Sequence, residues 1–299
     1  MLERLVTSPA FARLPISTRR GAIRAYWHGQ RMMGALPDYG LTPVFRRLLR
    51  LPLAEAERLH REVVYQDMIA MVGWAHLLHL DEKTYRRDCA SVTIPEDEIL
   101  SQIARDRRPL ILAPLHMGAY ALPFARIMHD YFRDRPMLIL RAREDREEET
   151  RAMQRIRELG IDMRFLNIAD KQSFLDAIRF ARSGAVIVCF ADLPGRYGSP
   201  IATTLFGQPA EIAMGLASLA RVTDATVVPL AVHSDANGDR VTFGKPFQSF
   251  RTGEDERQRV AGLIVRHLEA SIAADPAQWH MWARIGEYLK PVVTGEVAA

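Results

Sequence analysis

Apolar positions recur at helical spacing through the first third of the chain, and in short β-branched runs after it. Leu53, Ala56, Leu59, Val63, Met68, Met71, Trp74 and Leu78 lie three to five residues apart. That spacing predicts a long helix over 53–80, following helices over about 17–34 and 41–50. No strand-like run interrupts residues 1–88, which read as a helical arm or cap packed on the remainder of the chain. From about residue 89, the runs Leu110–Ala113, Met137–Leu140, Met163–Leu166, Ala185–Phe190 and Thr226–Val232 predict strands. They alternate with helical patterns near 96–106, 118–132, 145–159, 171–182 and 212–222. Alternation of this kind predicts an α/β fold with a mixed, mostly parallel sheet wrapped by helices. Asp235-Ala-Asn-Gly238 is a turn signal, so Val227–His233 and Arg240–Phe243 should form an antiparallel pair closing one edge. Helices over about 254–274 and 276–288 finish the pattern. The expected organisation is an arm over 1–88, a core over 89–290 and a tail over 291–299.

Composition narrows the class. With 48% hydrophobic and 25% charged residues, the chain of 299 has the apolar mass for a sizeable core, which excludes disordered and collagen-like readings. Cys89 and Cys189 are too few for a disulfide framework or a cysteine-rich zinc module, and no secretory leader pattern opens the sequence. No apolar run approaches the roughly 18 residues of a membrane span. A cytoplasmic protein, peripheral at most on the inner membrane, is therefore expected. The formal charge of +4 hides an asymmetry, because residues 1–50 carry nine arginines against Glu3 and Asp38. A basic front end containing Ile16, Ile23, Trp27, Met32 and Phe45 suits an anionic membrane surface or an acidic protein. Arg19, Arg20 and Arg24 are the residues expected to carry that attraction. Arginine-rich usage without a surface role explains the same charge, and no helix-turn-helix, zinc-finger or RNA-binding signature points to nucleic acid.

Two stretches offer chemistry. In Pro109-Leu-Ile-Leu-Ala-Pro-Leu-His116-Met-Gly118, a buried strand ends just before a histidine, and Gly118 lets the backbone turn tightly into a helix. Neutral imidazole there could take a proton from an attacking hydroxyl or amine while nearby backbone amides steady the developing oxyanion. A structural histidine explains the position as well. In Ala185-Val-Ile-Val-Cys-Phe-Ala-Asp192-Leu-Pro-Gly195, a second buried strand ends at an acid and a glycine-rich loop. Neighbouring strand ends of this kind frame the ligand crevice of an open α/β sheet, although Asp192 also suits a loop cap. The metal-like cluster His76-x-x-His79 with Asp81 lies in an apolar helix where packing accounts for it, and Glu144–Glu149 reads as a solvated helix start.

The order of these elements resembles the lysophospholipid acyltransferase superfamily, and within it the bacterial lipid A late acyltransferases. The resemblance spans about 85–288. It rests on His116 with Gly118; Arg141 after the next strand; Arg155 and Arg157 in the following helix; Asp192; Leu205-Phe206-Gly207; Gly215; Val228-Pro229; and Pro276-Ala-Gln278-Trp279-His-Met-Trp282-Ala-Arg284. It implies a glycerol-3-phosphate acyltransferase-like fold and an acyl thioester donor, either acyl carrier protein or coenzyme A. It also implies transfer to a hydroxyl or amine of a lipid or carrier-bound metabolite, with no cofactor or metal. His116 would be the general base, with Gly118, Arg141, Arg155, Arg157 and Gly207 at the substrate. Such enzymes place an acid five residues after the histidine, where this chain has Ala121, and usually carry an N-terminal membrane helix. Glu211, four residues after Gly207, and Asp192 are the two acids that could replace the missing one, the alternative being that His116 works without a compensating acid. A catalytically inactive binding subunit and a thioester hydrolase are the other readings.

Overall fold

The computed structural model describes residue 6 and residues 8–79, 81–95, 97–141, 147–167 and 171–290. The 291–299 tail and residues 144–146 of the acidic run fall outside them. After a single helical turn at Pro9–Ala12 come α1 (Ile16–Met32), α2 (Leu41–Leu48), α3 (Leu53–Leu77) and α4 (Glu82–Cys89). The α/β part then runs β1 (Val92–Thr93), α5 (Asp97–Asp106), β2 (Leu110–Pro114), α6 (Ala121–Tyr131), β3 (Met137–Arg141), α7 (Glu147–Glu158), β4 (Met163–Asn167), α8 (Lys171–Arg182) and β5 (Val186–Val188). It continues with β6 (Pro200–Leu205), β7 (Gln208–Ala213), α9 (Gly215–Thr223), β8 (Thr226–Ser234), β9 (Asp239–Phe243) and α10 (Glu254–Ala274).

The main sheet has the order β1-β9-β8-β2-β5-β3-β4 and is parallel except where β9 runs against β8. Strands β2, β3, β5 and β8 are buried on both faces, because successive side chains point to opposite sides and both sides are covered there. Ile111, Leu138, Ile187 and Val227 join α2, α9 and α10 in one core. Leu110, Leu112, Ile139, Val188 and Val228 join α5, α6 and α7 in the other. A third cluster, with Ile23, Trp27, Tyr65, Ile69 and Ala119, ties α1 to α3 and to the loop after β2.

Four expectations are corrected. Residues 276–288 do not form one continuous helix; they make two short 3-10 helices, Pro276–Gln278 and Trp282–Glu287, on either side of a bridge between Trp279 and Met117. The Gly118 amide donates to the Gln278 carbonyl and the His280 amide to that of His116, so pairing with the β2 loop overrides local helical preference. Helix α9 starts only at Gly215, because residues 208–213 pair with 200–205 in a separate hairpin. Phe206 and Gly207 both have positive φ (51° and 70°), the geometry of a two-residue hairpin turn. Strain at Phe206 is offset by stacking of its ring on Trp282 (5.4 Å between centroids) and by an amide hydrogen bond to Glu269 Oε1 (2.6 Å). The antiparallel pair does not close the sheet, because β1 adds outside β9. Short helix α4, unmarked by the apolar pattern, is capped by the Asp81 carboxylate accepting from the Thr84 amide.

The fourth correction concerns the basic front end. Arg19 and Arg20 are only 4% and 5% exposed. Arg19 pairs with Asp88, which His76 also approaches, while Arg20 pairs with Asp239 and donates to the carbonyls of Asp235 and Gly238. Arg24 reaches Glu62 (2.6 Å) and lies 3.4 Å over the Tyr65 ring. These arginines clamp α1 to the fold, since Asp88 and Asp239 could not stay buried as uncompensated carboxylates.

Candidate active site

Strands β2 and β5 lie side by side in the sheet, with Leu110 opposite Val186 and Leu112 opposite Val188. His116 and Asp192 keep that same separation of 76 residues, four positions past the last pair. Two buried apolar runs therefore deliver a base and an acid to one point above the sheet. The chains stay aligned beyond the ladder through hydrogen bonds from Cys189 N to Leu112 O and from Ala191 N to Pro114 O.

Asp192 is fully buried and His116 keeps 23% of its side chain exposed. His116 Nδ1 lies 2.8 Å from Asp192 Oδ1. The other carboxylate oxygen accepts from the His116 amide (2.8 Å) and from Trp279 Nε1 (2.8 Å), while the Asp192 carbonyl accepts from the Tyr288 hydroxyl. Burial raises the Asp192 carboxyl, but attraction to His116 and the hydrogen bonds from His116 and Trp279 outweigh it. The group is thus held below its ordinary value and stays ionised. Burial, reinforced by Asp192, raises the Tyr288 phenol, which remains a donor. The imidazole is stacked on Phe190 at 4.0 Å with Tyr120 edge-on, so its plane is set by packing as well as by the carboxylate. With Nδ1 directed at Asp192, the lone pair of Nε2 is the free basic site.

Gly118 (φ +65°) has no room for a side chain, because a Cβ would stand 2.4 Å from the Val232 carbonyl oxygen. Its amide goes to Gln278 O and that of Ala119 to Ser234 Oγ, so these two amides near His116 are already occupied and are not open to an oxyanion. Ala121 stands in the first turn of α6, 7% exposed.

His116 opens into a cleft of ≈ 990 Å³ lined by Tyr120, Phe124, Arg141, Phe190, Tyr197 and Arg284, among others. A second cavity of ≈ 1070 Å³ adjoins it through Arg141, Phe190, Leu193 and Tyr197, and runs on to Phe174, Leu216 and Leu219. Arg141, 9% exposed, sits in the shared wall with its guanidinium 3.6 Å over Phe165. Arg284 donates to Tyr197 and to Glu287. Cys189 also lines the second cavity, but burial pushes its thiol up to about 12, which leaves no thiolate nucleophile near neutrality.

The other sequence-derived residues lie elsewhere. Glu211 sits on β7 with its carboxylate 2.7 Å from Lys290 Nζ. Gly207 makes the hairpin turn. Arg155 and Arg157, in the last turn of α7, pair with Glu158 and Asp162. Phe190, Tyr120, Tyr197 and Tyr288 were not singled out from sequence. Trp279 stands out in the sequence only as part of the closing motif, although a fully buried indole must place its N–H on an acceptor. Among the described residues, no trio of histidine, cysteine or acidic side chains is grouped to hold a metal ion, and no helix is long and apolar enough to cross a membrane.

No curated protein matches this sequence. The model of the bacterial lipid A biosynthesis acyltransferase family matches residues 51–285, from the start of α3 to the last turn, including β2, β5 and the Trp279 segment. The chain belongs to that family.

Proposed function

We propose that the protein transfers an acyl group from a thioester, on acyl carrier protein or coenzyme A, to a hydroxyl or amine of a lipid or carrier-bound metabolite, without a cofactor. The observation that carries this reading is the His116–Asp192 pair, whose imidazole opens onto two joined, largely apolar cavities. Asp192 holds the Nδ1–H tautomer and stabilises the imidazolium, the task given in the family to an acid at the position of Ala121. His116 Nε2 takes the proton as the acceptor oxygen or nitrogen bonds to the thioester carbonyl carbon. The tetrahedral intermediate then collapses, the C–S bond breaks, and the departing thiolate takes the proton back from Nε2. Arg141 supplies positive field in the wall where the two cavities meet, and the second cavity offers an apolar site for the acyl chain. Glu211 has no part in the proton transfer.

A binding-only role is disfavoured because the base is both oriented and open to the cleft. The test uses the full chain with radiolabelled acyl-carrier-protein and acyl-coenzyme A thioesters and a bacterial envelope lipid extract. Wild-type protein should label a lipid, and His116→Ala should abolish labelling with an unchanged unfolding midpoint. Thiol release that needs no acceptor would identify a hydrolase, and an active His116→Ala variant would reject the mechanism.

A further inference from the structure

The loop carrying His116 is held by a second histidine–carboxylate pair. His280 follows Trp279, and its amide donates to the His116 carbonyl at 2.8 Å. Its ring spans two acceptors: Nδ1 lies 2.7 Å from Asp67 Oδ1 on α3, and Nε2 lies 3.0 Å from the Gly118 carbonyl oxygen. A carbonyl can only accept, so Nε2 must carry a hydrogen. An ionised carboxylate can only accept, so Nδ1 must carry one too. Either neutral tautomer turns a lone pair on one of the two acceptors. With 16% of the His280 side chain and 34% of the Asp67 side chain exposed, the pair lies at the edge of solvent.

We propose that His280 acts as an imidazolium positioning residue, which cross-links Asp67 to the Gly118 turn and thereby keeps His116 in line with Asp192. The two histidines then have opposite requirements: His116 works without a proton on Nε2, and His280 works with both of its protons. Activity therefore rises as His116 loses its proton and falls again, on the alkaline side, as His280 loses one. This rests on the acyltransferase reading for its effect on rate, but the charge on His280 and its hold on the turn do not. The titratable groups on the surrounding elements are few. Asp67 is the charged partner on α3, and Tyr39, from the segment before α2, faces the same carboxylate. His60 stands two turns earlier on α3 beside Tyr39. Asp275 precedes the Pro276–Gln278 turn and is tied to Gln278, and His116 is bound to Asp192.

The experiment has two arms. In the first, nitrogen-15 histidine spectra of the full-length chain, assigned with His280→Gln and His116→Gln, are followed from pH 6 to 9 without substrate. His280 should show both ring N–H groups at pH 7.5, and the Gly118 amide signal should move as that charge is lost. A neutral His280 at pH 7.5, or a Gly118 signal indifferent to its titration, would overturn the proposal. In the second arm, kcat/KM for acyl transfer is measured over the same range. Wild type should fall on the alkaline side toward the lower rate of His280→Gln, which lacks the imidazolium at every pH. Asp67→Asn should bring that fall to lower pH, and His280→Gln should remove it while sparing the acid limb. An alkaline limb unchanged in both variants would overturn the role in catalysis. If wild type transfers no acyl group at all, the functional reading has failed, and the first arm still decides the proposal.

Discussion

Asp192→Asn separates orientation of the base from burial of a charge. The carboxylate receives three N–H groups, from His116 Nδ1 and the His116 amide and from Trp279 Nε1. An amide offers one oxygen and one NH2. If its NH2 stands where Oδ2 was, it faces two buried N–H donors, and each unsatisfied buried group costs about 1–3 kcal/mol. If its NH2 stands where Oδ1 was, it faces only the imidazole, which answers by moving its proton to Nε2. The second arrangement wins because it strands no donor, and it leaves His116 in the tautomer that cannot act as base. In serine proteases the same exchange lowers turnover about 10⁴-fold, roughly 5.5 kcal/mol of barrier. A loss of 10³–10⁴ in kcat is expected here, with a stability loss of only about 1–3 kcal/mol, one charge-assisted hydrogen bond being replaced. Single-turnover thiol release from an acyl thioester with acceptor reports the rate, and a urea midpoint the stability. A variant retaining more than a tenth of wild-type turnover would refute the tautomer argument, as would a histidine spectrum still showing Nδ1–H at His116.

The contacts set three further outcomes. Arg20→Ala should cost about 3–5 kcal/mol in urea unfolding, because it strands the buried Asp239 carboxylate, and should not alter the salt dependence of binding to anionic vesicles. Glu211→Gln should leave kcat within twofold and stability within about 1 kcal/mol, since it removes only a half-exposed pair with Lys290; a large loss of activity would return Glu211 to the mechanism. His233 is held down to about 4, by burial first and then by Arg240 and His267. Its folded value lies below the unfolded one of about 6.5, so the unfolded chain binds the extra proton. Stability should therefore decline as pH falls from about 6.5 to about 4, and His233→Asn should flatten that part of a urea-midpoint profile.

What was legible in the sequence is what depends on near neighbours. The buried runs of β2, β3 and β8 and the periodicity of α8 and α10 carry their own signal, and α8 and α10 have the expected bounds. The β6–β7 hairpin went unread because its turn carries a bulky residue, Phe206, at positive φ, paid for by a stacking partner 76 positions away, Trp282. The closing segment was read as a helix because nothing local announces that Gln278 and His280 will bridge to the loop after β2. The same blindness governs charge: Arg19 and Arg20 look like surface cations until Asp88 and Asp239, 69 and 219 residues on, take their place beside them. His116 and Asp192 each stood out as a strand end. Their meeting required knowing that β5, and not the sequence-adjacent β3, lies next to β2.

That adjacency also lets an acid on a neighbouring strand orient the histidine. An acid five residues after His116 would sit in the first turn of α6, and its reach would depend on the Gly118 turn. Asp192 instead rides on β5, whose register with β2 is set by two buried hydrophobic strands, and its carboxylate is further fixed by Trp279. The orienting group thus belongs to the rigid centre of the sheet, and Ala121 is part of the apolar wall of the cleft. Phe190, Tyr120 and Phe124 extend that wall around the imidazole.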